Sequence, residues 1–147
     1  MTNKIGSRLS VLLVALLCLA GCGKGDTTIR DTAKITHADK IEVVHFHGNR
    51  QCPSCKAVGD WVQKTIKEKF PQEYANGRIL FKQVNVDLPE NATIVNQFKA
   101  RGSSLFFNII KGKDERIIED SKVWLLVNDE TEFTNYIVTS IQRYLGR

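Results

Sequence analysis

The stretch Ile41–His47, IEVVHFH, has the β-branched and aromatic character of a buried strand. Gly48 and Asn49 end it, and the chain then reads Cys52-Pro53-Ser54-Cys55. Beyond Cys55 the apolar residues Val58, Trp61, Val62, Ile66 and Phe70 recur at helical spacing, while Lys56, Asp60, Lys64 and Lys67 fall on other faces. This change of period within a few residues constrains the fold most. It demands a strand, a tight loop and an amphipathic helix laid against a sheet, with a cysteine pair at the junction.

That junction has chemical consequences. Cys52 falls at a helix amino terminus, where unpaired backbone amides favour a thiolate. Pro53 is tolerated at a helix start and stiffens the loop. Two intervening residues allow the sulfurs to close a small ring, so that Cys55 can resolve a mixed disulfide formed at Cys52. Spacing alone leaves three roles open for the pair: electron exchange, metal ligation and a structural staple. The staple is the weakest, because so small a ring removes little chain entropy.

The rest of the chain continues the alternation. A second strand is expected over Ile79–Asp87, ILFKQVNVD. Pro89-Glu90-Asn91 reads as a turn into a short helix carrying Ile94, Val95 and Phe98. Leu105–Ile110 reads as a third strand, Lys111–Asp114 as a hairpin turn and Arg116–Glu119 as the return strand. A last helix is expected over Asp129–Leu145, with Phe133, Ile137, Ile141 and Tyr144 on its apolar face. Val123–Val127 is apolar and ambiguous, a loop plug or a partner surface. The first half asks for crossover connections and a partly parallel sheet, the second for an antiparallel hairpin and a closing helix. The expected fold class is α/β, with helices on both faces of a mixed sheet.

The amino terminus adds a compartment. Lys4 and Arg8 precede an apolar run over Leu9–Ala20, shorter than the roughly 20 residues of a membrane-spanning helix and of signal-peptide size. The run ends in Leu19-Ala20-Gly21-Cys22, which resembles the lipobox of bacterial lipoproteins. That resemblance implies a signal peptide over 1–21, lipidation at Cys22, a polar tether over 22–34 and one domain over 35–147. It places the domain in the bacterial cell envelope, outside the cytoplasm, where disulfides persist. Gly23 after Cys22 resembles outer-membrane sorting where a second membrane exists. Loss of Lys4 and Arg8 lowers the formal charge from +5 to +3. Basic and acidic residues interleave, as in Lys111, Lys113 and Arg116 with Asp114, Glu115 and Glu119, and no basic stripe for nucleic acid is present in the sequence.

From about Ile35 onward the chain resembles the thioredoxin-fold family. The matching pieces are IEVVHF, CPSCK, ILFKQVNVD and LFFNIIKGKDERI. The resemblance implies a thioredoxin-like three-layer sandwich, with Cys52 as exposed nucleophile and Cys55 as resolving cysteine, and it matches Asp87 to a common strand-end acid. Three departures stand out. Ser104 occupies the place of the family's usual cis-proline, where a cis bond before a non-proline residue would cost about 2.5–4 kcal/mol, so a trans bond is expected. Its hydroxyl is a candidate partner for a sulfur, and the missing proline strengthens a metal alternative. The approach His47-Gly48-Asn49-Arg50-Gln51 lacks the usual aromatic residue and is one residue longer, which puts Arg50 beside Cys52 as a candidate thiolate stabiliser. His45 or Phe46 stands where the family has a buried acid, and His45 is a candidate proton relay to Cys55. His45 and His47 share one face of the strand.

These readings favour an extracytoplasmic, membrane-anchored thiol–disulfide oxidoreductase acting on envelope protein or peptide thiols. A reductase direction would require a membrane electron donor. No cofactor is expected. The alternatives are a copper-handling module, with Cu(I) held by Cys52, Cys55 and His45 or His47, and a non-catalytic binding domain. No glycine-rich phosphate loop, catalytic carboxylate pair or serine elbow appears in the sequence.

Overall fold

The computed structural model describes residues 37–147. The expected signal peptide, the Cys22 lipidation site and the tether over 22–34 lie outside the described residues, as do Ile35 and Thr36 at the start of the expected domain.

Four strands form one sheet in the order β2-β1-β3-β4. They are β1 (Lys40–His47), β2 (Ile79–Asn85), β3 (Ser104–Lys111) and β4 (Asp114–Glu119). β1 pairs parallel with β2, His45 opposite Gln83, and antiparallel with β3, Phe46 opposite Ser104. β3 and β4 pair antiparallel around the turn at Gly112, whose φ of +59° suits a residue without a Cβ. Strand order, strand sense and the crossover between β1 and β2 make this the mixed α/β sandwich expected from the sequence.

The helices form the outer layers. α1 (Pro53–Lys69) carries the helical-period residues foreseen after Cys55, with Val58, Val62 and Ile66 buried. Pro71 ends that pattern and also opens a second short helix, α2 (Pro71–Ala75), which the sequence reading did not foresee. A 3₁₀ turn over Pro89–Asn91 leads into α3 (Ala92–Phe98). Val123–Leu126 is a one-turn helix, α4, with Val123 and Leu126 buried and Leu125 79% exposed. The ambiguous segment is therefore mainly a plug. α5 (Glu130–Leu145) is capped by Asp129, whose carboxylate accepts the Thr131 and Glu132 amides.

Period-two alternation along β1 divides the core. Ile41 and Val43 pack under α1, α4 and α5, where Trp61 meets Phe133 edge-on at 5.4 Å. Val44 and Phe46 face the other way, into a smaller cluster with Phe98, Ala100 and Phe106 beneath α3. Phe133 is fully buried and Trp61 partly so, as their places on the apolar faces of α5 and α1 imply. Among the described residues no helix is long and apolar enough to cross a membrane.

Candidate active site: a dithiol at the head of helix α1

Cys52 is the N-cap of α1, with Pro53 in the first turn. A disulfide joins Cys52 and Cys55, and Cys52 Sγ accepts the Cys55 amide at 3.1 Å. Cys52 is exposed and Cys55 half-buried. The first turn of α1 contains no acidic residue. The exposed residue Cys52 therefore sets its sulfur against an amide donor at the positive end of a 17-residue helix. On reduction, that arrangement stabilises a Cys52 thiolate, the species that attacks disulfides. The pair is arranged for thiol–disulfide exchange.

His45 lies under α1 and is 0% exposed. A Cβ built on Gly59 would fall 2.5 Å from its Nδ1, so the close approach of helix and ring requires glycine at that position. Gly59 stands four residues after Cys55 and so shares its face of α1. Neither ring nitrogen of His45 has a hydrogen-bond partner among the described residues. Burial, and secondarily the nearby His47, push its pKa down to about 4, against the opposing pull of Asp60. The ring is therefore neutral at ordinary pH.

His47 sits one pleat nearer the strand end on the same face, its ring centroid 5.8 Å from that of His45. Its Nδ1 lies 3.0 Å from the Gln51 side-chain amide nitrogen and 3.1 Å from the Gly48 carbonyl. The loop from β1 to Cys52 is held from the side by the end of β2. The Asn49 amide donates to Asp87 at 2.7 Å, the Asn85 amide group to Asn49 Oδ1 at 2.8 Å, and the Val86 amide to the His47 carbonyl at 2.8 Å. Asp87, matched to a strand-end acid, thus lies just past β2 and pins the loop.

Ser104 opens β3, 6% exposed, and its hydroxyl donates to the Gly102 carbonyl at 3.1 Å rather than to a sulfur. Arg50 is exposed between Asn49 and Gln51, with no ion pair among the described residues. Among the described residues no three His, Cys, Asp or Glu side chains converge as a metal-binding group. Sequence reasoning missed Gly59, Gln51, Asn49 and Asn85. Nothing in the sequence alone marked the first, since a glycine within a helix reads as a local weakness. The other three act through the path of the loop.

No protein-family model matches the chain, and no curated protein matches it in sequence. Among solved structures it is similar to a thioredoxin from Thermus thermophilus, at 17% identity over 69% of this chain and 74% of that one, with a TM-score of 0.46. It is also similar to the germline-specific thioredoxin Deadhead of Drosophila melanogaster, at 18% identity over 69% and 81% of the two chains, TM-score 0.41. A Malassezia sympodialis thioredoxin matches at 21% identity over 75% and 80%, TM-score 0.40.

Proposed function

We propose that this protein is a membrane-anchored thiol–disulfide oxidoreductase of the bacterial cell envelope, acting on protein or peptide thiols. The observation that carries the reading is exposed Cys52, its sulfur seated on the Cys55 amide at the head of α1. As a reductase, the Cys52 thiolate attacks a substrate disulfide, forming a mixed disulfide and releasing one substrate thiolate. Cys55, deprotonated, then attacks Cys52 Sγ, closing the Cys52–Cys55 disulfide and releasing the second substrate thiolate. Two electrons pass to the substrate, and two protons follow from the pair and solvent. A reductant, such as a membrane dithiol protein, must restore the pair. As an oxidant the same steps run in reverse.

The position of His45 makes it a candidate for the proton traffic of the second attack, although a pKa of about 4 makes it a weak base towards a thiol. It is neutral, buried under the face of α1 that carries Cys55, and its ring nitrogens are uncommitted. A buried polar group without partners is destabilising by about 1–3 kcal/mol, so its presence under the face of α1 that carries Cys55 supports a functional use. Lipidation at Cys22 would hold the domain at the membrane, at the outer one where a second exists. Arg50, exposed beside Cys52, would favour approach of an anionic thiolate.

The test is exchange itself. The domain, reduced, is incubated with a protein disulfide, and Cys55→Ser is used to stop the reaction after the first attack. Accumulation of a mixed disulfide at Cys52 supports the reading. Copper handling through Cys52, Cys55 and His45 or His47 is the alternative that Ser104, in the place of a proline, raises. It becomes the working account if the pair fails to exchange and the reduced protein retains Cu(I) through gel filtration.

A further inference from the structure

Cys52 is bracketed by two restrained neighbours. On its far side Pro53 fixes its own φ. On its near side the Gln51 side chain turns back across the loop to His47 Nδ1. That nitrogen can serve one of two partners. Bare, it accepts from the Gln51 amide. Protonated, it donates, to the Gly48 carbonyl or to a Gln51 amide turned to present its oxygen. The loop is separately fixed at Asn49 by Asp87 and Asn85. The His47–Gln51 bond therefore controls only the last link, the peptide entering Cys52.

We propose that His47 is a positioning residue for Cys52, holding Gln51 so that the Cys52 sulfur stays on the Cys55 amide. The oxidoreductase reading gives this placement its purpose. The two can fail separately, because positioning is read from the thiol itself.

The test uses the full chain after reduction. The rate of Cys52 alkylation by iodoacetamide is followed across pH by mass spectrometry with fragment-level assignment. His47→Phe keeps a ring and removes the acceptor. Gln51→Leu keeps bulk and removes the donor. His47→Asn restores an acceptor oxygen at the place of Nδ1. We expect each of the first two variants to slow alkylation at neutral pH by roughly threefold to tenfold, the worth of one hydrogen bond, and to raise the apparent thiol pKa. The double variant should be no slower than the slower single one, and His47→Asn should recover most of the rate. Single variants within twofold of the parent, multiplicative effects in the double, or no recovery in His47→Asn would overturn the proposal. If His47→Phe does not fold, Gln51→Leu decides alone. A parent that shows this pattern yet never exchanges with protein disulfides would sink the oxidoreductase reading and leave the positioning role standing.

Discussion

Gly59 and His45 fit together as a pair: the helix can lie this close to the strand only because one partner lacks a Cβ, which would stand 2.5 Å from the other's Nδ1. Gly59→Ala should therefore destabilise the fold by about 1–3 kcal/mol through overpacking, despite alanine's better helix propensity. Adding His45→Val, which removes the ring, should restore much of that loss. Urea denaturation of the four members of the cycle measures the coupling. Additive effects would mean that the two sites do not press on each other.

His45 also predicts how stability depends on pH. Its folded pKa is lowered to about 4 from 6.5. The unfolded chain thus binds a proton, as pH falls, before the folded chain can. The contribution is fully present above about pH 6.5, is lost progressively towards pH 4 and levels off below it, with a total of up to about 3 kcal/mol. His45→Leu should flatten this limb and raise stability at pH 5, since it also removes two unpartnered polar atoms. An unchanged limb in the variant would assign the pH dependence to other groups.

Asp87 should act on the loop and not on the core. Asp87→Ala removes the acceptor of the Asn49 amide and should destabilise by about 1–2 kcal/mol. Hydrogen exchange should rise first at Asn49 and its loop neighbours, while β1 stays protected. Equal loss of protection throughout β1 would contradict this local role.

The proposed anchor has a direct test. The full chain should partition with membranes and incorporate labelled fatty acid, and Cys22→Ser should abolish the incorporation while the Cys52–Cys55 pair exchanges as before. Incorporation that persists in Cys22→Ser, or none in the parent, would contradict the anchor.

Much of the fold was legible because periodicity reports burial. The change of period at Cys55 marked the head of α1, and β1 alternates as its sequence implies, His45 and His47 on one face and Phe46 on the other. Pro71 was ambiguous for a physical reason: proline ends one helix and opens the next equally well. Val123–Leu126 was illegible because four apolar residues make one helical turn only when tertiary contacts bury two of them. At the site, the cysteine pair was readable from its setting. Gly59 was not, since a glycine within a helix reads as a local weakness until a partner ring is placed beneath it. The Gln51–His47 and Asn49–Asp87 bonds depend on how a loop folds back, which residue types alone do not determine.

The most direct test of the central claim is the redox equilibrium of the Cys52–Cys55 pair, measured on the full chain with Cys18 and Cys22 replaced by serine, in defined thiol–disulfide buffers. The helix head and the absence of acidic residues in its first turn predict reversible two-electron cycling at a potential between about −270 and −120 mV, within the range of catalytic dithiols. A pair that does not cycle, or one poised below about −300 mV as structural disulfides are, would contradict it.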